Sequence, residues 1–251
     1  MRRLAVLLTA GALAMSGCGG GDDTLTVSAA SSLKKALTDY GAQFDDAKAR
    51  FSFAGSDELA AQIRKGAHPD VFASANTKLP EELYREGLVS RPVTFTGNRL
   101  VLAVPASADA PIASLKDIEK AGTTLAIGSE SVPVGSYTRT VLSKLPEAES
   151  SAIMKNVRSE EPDVAGIVGK LTQGAVDAGF VYISDVRATD GKLKAIELPD
   201  SLQPTVAYAV AIVKGAKNED AAKTFVDGLL DGAGKDALDD AGFEPPPAPA
   251  Q

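Results

Sequence analysis

The sequence predicts an α/β fold in two lobes, each a mainly parallel sheet flanked by helices, with a ligand cleft between the lobes. Short β-branched strands alternate with amphipathic helices from Leu25 to Val104, and the same alternation restarts near residue 112. This rhythm is typical of parallel sheets covered by helices. A last strand and helix after residue 206 can return to the first half. One doubly wound domain fits the same spacing, and the spacing leaves that alternative open.

The N-terminus is predicted to be an export signal. Arg2 and Arg3 precede an apolar run over residues 4–14, which is too short to span a membrane and ends in small residues before Cys18. The segment resembles a bacterial lipoprotein signal, in which Cys18 would be lipidated and become the mature N-terminus. The alternative is an ordinary secretory signal followed by a free thiol. We therefore assign residues 1–17 to the signal peptide and the glycine-rich residues 18–23 to a flexible tether.

Composition narrows the classes of partner. Removal of the first 17 of 251 residues, with their two arginines, leaves 234 residues and changes the formal net charge from −7 to −9. An acidic chain argues against nucleic acid or an anionic membrane surface as a partner. Cys18 is the one cysteine, so no disulfide is expected, and we expect a monomer stabilised by its core. An anionic ligand would have to be captured by local geometry.

Hydrophobic periodicity places the elements in order. In the first half, after the strand from Leu25, it predicts helices over 32–44, from Ser56 to Gly66 and over 79–85, and strands over 50–53, 71–73 and 100–104. In the second half it predicts helices over 112–121, 134–145, 163–171 and around 225–230, strands over 125–127, 178–182, 193–198 and 206–213, and a polar connection over 147–151. We assign lobe I to residues 24–100 plus 208–243 and lobe II to residues 101–207. The proline-rich residues 244–251 are predicted to be a disordered tail.

Catalytic patterns are weak. The lone His68 lies in a loop, and the chain has no Gly-x-Ser-x-Gly elbow for a Ser-His-Asp triad. Ser31 and Lys34 satisfy Ser-x-x-Lys, but the partner motifs of penicillin-interactive enzymes are absent, so a serine hydrolase is a remote alternative. One histidine and one cysteine give no zinc site. Neither Gly-x-Gly-x-x-Gly nor the P-loop consensus occurs, so no nucleotide cofactor is expected.

Binding has better support, because several strands lead directly into helices. Ser32 and Ser56 each follow a strand end, where a hydroxyl commonly caps its own helix. Val134 and Val164 would offer backbone N–H groups at helix starts, and Tyr182 would offer a phenolic hydroxyl at the end of a buried strand. Ligands of open α/β sheets gather at such strand ends, and helix N-termini favour anions. Plain capping and a buried, satisfied tyrosine remain the alternatives.

Ordered motifs resemble those of the periplasmic molybdate-binding proteins of ABC transporters over nearly all of residues 24–243. They are Thr-Val-Ser-Ala-Ala-Ser-Ser-Leu from Thr26, Phe-Ala-Gly-Ser from Phe53, Pro-Asp-Val-Phe-Ala-Ser-Ala from Pro69, Asn-Arg-Leu-Val-Leu from Asn98, Val-Pro-Val-Gly-Ser-Tyr from Val132, Asp163-Val164, and Gly-Phe-Val-Tyr-Ile-Ser-Asp from Gly179.

This resemblance implies a type II solute-binding fold that holds molybdate, and tungstate too, by neutral hydrogen-bond donors. The donors carried over by position are Ser32, Ser56, Val134, Val164 and Tyr182, with Ser31 as a neighbouring support. It also implies delivery to an ABC permease from the outer side of the cell membrane, with the lipid anchor at Cys18, no catalysis and no cofactor. Another tetrahedral oxyanion, such as sulfate or phosphate, is the alternative ligand. The carboxylates of Asp57 and Asp163 are expected to point away from the anion and cap their helices.

Overall fold

The structure is a computed structural model that describes residues 24–108 and 112–248. Within these ranges the strands are β1 (Thr24–Ala30), β2 (Lys48–Ala54), β3 (Val71–Ser74), β4 (Val93–Asn98), β5 (Leu100–Pro105), β6 (Leu125–Gly128), β7 (Val157–Glu161), β8 (Ala178–Tyr182), β9 (Leu193–Glu197) and β10 (Val206–Ile212). The α-helices are α1 (Lys34–Gly41), α2 (Ser56–Arg64), α3 (Lys78–Arg85), α4 (Pro133–Ser143), α5 (Glu147–Lys155), α6 (Val164–Thr172), α7 (Ile183–Arg187), α8 (Glu219–Leu230) and α9 (Ala233–Asp240). The predicted signal peptide, Cys18 and the tether lie outside the described residues.

The strands form two five-stranded sheets, one in each lobe. The first has the order β2-β1-β3-β10-β4 and the second the order β7-β6-β8-β5-β9. In each sheet the strands that lead into the site run parallel, whereas β10 and β5, at the chain's crossings between lobes, run antiparallel to their neighbours. The two-lobe α/β class is therefore confirmed, with sheets that are mixed rather than mainly parallel.

The chain crosses between the sheets close to the predicted boundaries. Arg99 alone separates β4 of the first sheet from β5 of the second, and Leu100 already pairs with Tyr182 of β8. On the return, Val206 pairs with Asn98 in the first sheet. The chain therefore passes from one sheet to the other one or two residues before the predicted boundaries at 100 and 207. This is because β5 and β10 pair with their neighbours from their first residues onward.

The parallel register of β1 and β2 sets the position of two predicted site residues. Ala30 pairs with Ala54 at the carboxyl end of these strands, so Ser32 and Ser56 each follow the paired position by two residues. Ser32 lies in a short 3₁₀ turn, Ser31–Leu33, and α1 begins only at Lys34. Neither helix start has a side-chain cap hydrogen bond, so the capping interpretation of both serines is wrong.

Three local predictions differ from the structure. Between residues 112 and 121 there is only a 3₁₀ turn, Asp117–Glu119, since the Asp117 carboxylate accepts hydrogen bonds from the Ala113 N–H and the Ser114 hydroxyl and so competes with a regular helix. The polar connection at 147–151 is part of α5, whose first turn carries Glu147 and Glu149, both favourable near a helix N-terminus.

The predicted tail also begins too early, because Glu244 is held by the first lobe. Its backbone exchanges two hydrogen bonds with Gly97, and its carbonyl oxygen accepts a third from the Thr96 hydroxyl at 2.9 Å. Its carboxylate lies 3.4 Å from the Arg99 side chain at the crossing between the lobes. Among the described helices, none has the combined length and apolar character that a membrane span requires.

Candidate oxyanion-binding site

A small cavity lies between the two sheets, where the carboxyl ends of strands from both lobes face each other. It is a small cavity, with a volume of about 10 Å³. The first lobe lines it with residues that follow β1, β2 and β3, and the second lobe with the starts of α4 and α6 and the end of β8. All five predicted donors line this one cavity: Ser32, Ser56, Val134, Val164 and Tyr182.

The two serines present hydroxyl groups that are nearly buried. The Ser56 side chain accepts a hydrogen bond from the Ala75 N–H at 3.1 Å, which leaves the hydroxyl proton of Ser56 available to a ligand. The Ser32 hydroxyl lies 2.9 Å from the hydroxyl of Tyr208, a buried residue of β10. Ser32 and Ser56 are 8% and 1% exposed, so a bond from either hydroxyl to a ligand would be shielded from water.

The second lobe contributes backbone donors. α4 begins at Pro133 and α6 at Val164, so Val134 and Val164 belong to the first turns of their helices. The first four N–H groups of a helix have no partner within that helix. Both N–H groups lie where the helix dipoles favour a negative charge, so these two helix starts are suited to an anion although the side chains of Val134 and Val164 are apolar.

Tyr182 ends the buried strand β8 and carries a hydroxyl that lacks a hydrogen-bond partner among the described atoms. The residue is 1% exposed, and the ring of Tyr208 packs edge-on against it at 5.8 Å between centroids. Burial raises the pKa of Tyr182 well above its ordinary value, with smaller contributions from Tyr208, Tyr137 and Asp185, so the hydroxyl keeps its proton. A buried hydroxyl without a partner costs about 1–3 kcal/mol, which an acceptor in the cavity would offset.

Two of the three nearby carboxylates, those of Asp163 and Asp185, accept hydrogen bonds from backbone N–H groups. Asp163 caps α6 by accepting a hydrogen bond from the Gly166 N–H at 2.9 Å, as expected, although the residue still lines the cavity. Asp57 lies outside the lining, and its buried Oδ1 has no partner, so the expected capping bond is missing there. Asp185 accepts from the Tyr182 N–H at 2.9 Å. Burial raises its pKa to about 7, against that hydrogen bond and with a further rise from the charge of Asp163.

Candidate catalytic and metal groups are not assembled here. Among the described residues that line the cavity, none is lysine, arginine or histidine. His68 is exposed on a different loop, whereas Lys34 lines a neighbouring groove together with Ser31 and Ser32. In residues 24–108 and 112–248 no group of three or more His, Cys, Asp or Glu side chains could hold a metal ion. The residues that line the cavity therefore provide neutral hydrogen-bond donors around a small space, beside the carboxylate of Asp163.

Sequence reasoning missed the residues that support these donors. Tyr208, Asn98 and the Ala75 N–H lie behind the two serines and fix their hydroxyl groups. One signal was available, since Tyr208 interrupts an otherwise apolar strand over the predicted residues 206–213. A buried tyrosine usually needs a partner for its hydroxyl, and that partner proves to be a predicted site residue.

A two-lobe α/β fold with a small cleft of neutral donors defines a solute-binding protein, and the chain belongs to that class: the family of bacterial extracellular solute-binding proteins matches residues 25–244. Among individual relatives, the molybdate-binding protein ModA of Mycobacterium tuberculosis (strain ATCC 25618 / H37Rv) is 34% identical over 231 residues, which are 90% of this chain and 86% of the relative. The family resemblance carried by the ordered motifs is thus confirmed.

Two further proteins extend the comparison. The putative ABC transporter substrate-binding lipoprotein YvgL of Bacillus subtilis (strain 168) is 29% identical over 227 residues, which are 88% of this chain and 86% of the relative. The solved structure of the periplasmic molybdate-binding protein of Azotobacter vinelandii matches with a TM-score of 0.80 at 22% identity, over 89% of this chain and 100% of that one. At that identity the match supports the fold.

Proposed function

We propose that this protein captures molybdate, and tungstate too, outside the cytoplasm and delivers it to an ABC permease. The observation that carries the proposal is the unpartnered, buried hydroxyl of Tyr182, which faces serine hydroxyls and helix N-termini from both lobes across one small cavity. Each of these groups can donate a hydrogen bond, and none brings a positive charge. The names of the two relatives, a molybdate-binding protein and an ABC transporter lipoprotein, point to the same role.

The chemistry of the donors selects the class of anion. Molybdate and tungstate are unprotonated dianions near neutral pH, so each of their oxygens only accepts hydrogen bonds. Phosphate keeps a proton near neutrality and needs an acceptor, whereas sulfate differs from molybdate in being a smaller ion. A buried polar group left without its bond lowers affinity strongly, so unmet bonds discriminate between these anions.

The remaining parts of the proposal concern the context of binding. The protein acts as a binding protein without catalysis, and the anion is its cargo rather than a cofactor. Cys18 anchors the exported chain to the membrane, in keeping with the name of the Bacillus relative. A Cys18→Ala variant should then appear in the soluble extracytoplasmic fraction, whereas the parent protein should sediment with membranes and release a lipid-bearing N-terminus on digestion.

Calorimetric titration of the purified protein with molybdate, tungstate, sulfate and phosphate tests the specificity. We expect tight, one-to-one binding of molybdate and tungstate and weak or undetectable binding of the other two. Tight sulfate or phosphate binding without molybdate binding would overturn the assignment of the anion. Covalent labelling of Ser31 by a fluorophosphonate or penicillin probe would instead favour the serine hydrolase alternative.

A further inference from the structure

We propose that Tyr208 is a positioning residue that forces the Ser32 hydroxyl to act as a hydrogen-bond donor toward the ligand, so that the cavity rejects protonated oxyanions. The proposal deepens the proposed function and rests on it. It concerns the direction of the hydrogen bonds that connect the buried side chains of Asn98, Tyr208 and Ser32.

The direction is set at the crossing between the lobes. The backbone N–H of Arg99 donates to Oδ1 of Asn98 at 2.9 Å. A backbone N–H can only donate, so this bond identifies the oxygen of the Asn98 amide and places its NH₂ group on the other side. That group donates to the Ser184 hydroxyl at 2.8 Å and reaches the Tyr208 hydroxyl at 3.4 Å.

The next step passes through Tyr208. Its hydroxyl oxygen lies 3.4 Å from the Asn98 amide nitrogen, which can only donate, and 2.9 Å from the Ser32 oxygen, where either hydroxyl could be the donor. Tyr208 is 0% exposed, which removes water as a competing partner, and burial raises the pKa of Tyr208 well above its ordinary value, so the proton stays in place. A phenol is also a better donor than an aliphatic alcohol. Ser32 therefore accepts from Tyr208, and its own proton is directed into the cavity.

The Ser56 oxygen also accepts a hydrogen bond, but its donor is a backbone N–H group. The Ala75 N–H donates to its oxygen at 3.1 Å, and this donor is part of the backbone. Both serines are thus turned into donors by a group that supplies a proton from behind. In the first lobe the Tyr208 hydroxyl is the member of this arrangement that a side-chain substitution can remove while the serines themselves stay intact.

The Tyr208→Phe variant tests whether Tyr208 orients the Ser32 hydroxyl or only packs against it. Without the phenol, the Ser32 oxygen can accept a proton from a ligand, so the variant should discriminate less against phosphate, which carries one at pH 7.5. We expect molybdate affinity to fall about 3- to 10-fold, the effect of losing one ordinary hydrogen bond, while the ratio of phosphate to molybdate affinity rises about 10-fold. Tyr40→Phe is the matched control, since its buried hydroxyl donates to the Phe225 carbonyl away from the cavity, at 3.2 Å.

The titrations use the purified protein with molybdate, sulfate and phosphate, and thermal melts of each variant without ligand monitor folding. A loss of molybdate affinity with an unchanged affinity ratio would mean that Tyr208 only supports the structure, and would overturn the inference. If Tyr208→Phe does not fold, Asn98→Ala, which removes the donor behind the phenol, should shift the ratio in the same direction, and an unchanged ratio there would count equally against it.

A double-mutant cycle adds a second criterion. In a Ser32→Ala background the Tyr208→Phe substitution should no longer change the affinity ratio, because the group that it orients is gone. Failure of the parent protein to bind molybdate would overturn the proposed function alone. In that case the ratio of phosphate to sulfate, another unprotonated dianion, still tests the role of Tyr208.

Discussion

Gly55 of the first lobe lies directly against the backbone carbonyl of Pro162 in the second lobe: a Cβ atom on Gly55 would lie 2.5 Å from that oxygen. Both residues are next to the cavity, Gly55 as the residue before α2 and Pro162 just before the cap of α6. The lobes are therefore in contact at this point, and the contact depends on the absence of a side chain at position 55.

Gly55→Ala should weaken molybdate binding about 10- to 100-fold. A backbone carbonyl cannot move aside as a flexible side chain can, so the added methyl group holds the lobes apart and lengthens the bonds from Val134 and Val164 to the anion. Calorimetry measures the loss, and small-angle scattering with ligand should show a more open particle. Gly169→Ala on α6 is the matched control, since a Cβ there meets nothing within 4 Å. Equal affinities for the two variants would contradict the prediction.

Tyr182→Phe should move stability and affinity in opposite directions. Removing a buried hydroxyl that has no partner is expected to stabilise the ligand-free protein by about 1 kcal/mol, while the lost donor lowers molybdate affinity about 10-fold. Thermal melts with and without molybdate give both quantities. Tyr40→Phe, which loses a bond to the Phe225 carbonyl, should instead destabilise the ligand-free protein. A destabilised Tyr182→Phe protein would show that the hydroxyl already has a partner.

Ser56→Ala and Ser31→Ala should differ, although both serines line the cavity. The first change removes a ligand donor and also leaves the buried Ala75 N–H without its acceptor, so we expect a loss of molybdate affinity of about 100-fold. Ser31 is assigned no donor role, and its substitution should change affinity less than about twofold. The same calorimetric titration measures both. A large effect of Ser31→Ala with a small one for Ser56→Ala would reverse the assignment of the donors.

Asp185 should make the protein less stable as the pH rises from about 4 to about 7. Its pKa is raised from 3.8 to about 7 in the folded state, chiefly by burial, so between these values the folded protein holds a proton that the unfolded chain has released. This contribution is therefore fully present below about pH 4 and lost by about pH 7, with a magnitude on the order of 4 kcal/mol. Urea unfolding at pH 4.5 and 7.5 should show a smaller decline for Asp185→Asn than for the parent, and equal declines would contradict the assignment.

Much of the fold could be predicted, because apolar periodicity and buried strands leave a direct trace in the sequence. The strand Ala178–Tyr182 has the predicted bounds, and its burial follows from its continuous apolar run. The polar edge strand β7 (Val157–Glu161) and the five-residue helix α7 escaped prediction, since neither has a run of apolar residues at a strand or helix period. Both are defined by neighbours distant in sequence, such as β6 beside β7.

In the candidate site, too, some features could be predicted from the sequence and others could not. The five lining positions could be inferred because strand ends and helix starts recur in a fixed order along the chain. The orientation of the Ser32 hydroxyl could not, since it depends on Tyr208, which is 176 residues away in sequence. The closeness of Gly55 to Pro162 likewise arises only when the two lobes meet. Pattern reasoning thus located the positions that line the cavity, whereas the geometry around them is a tertiary property.

A cavity lined by neutral donors also has a consequence for unloading. Since no lysine, arginine or histidine is among the described residues that line it, a bound dianion would be held there without a matching positive charge. Nothing would have to be neutralised when the cargo leaves, neither by a proton nor by a replacement ion. Separating the lobes withdraws the donors of Val134, Val164 and Tyr182 together, so release becomes a mechanical event, governed by the work of opening.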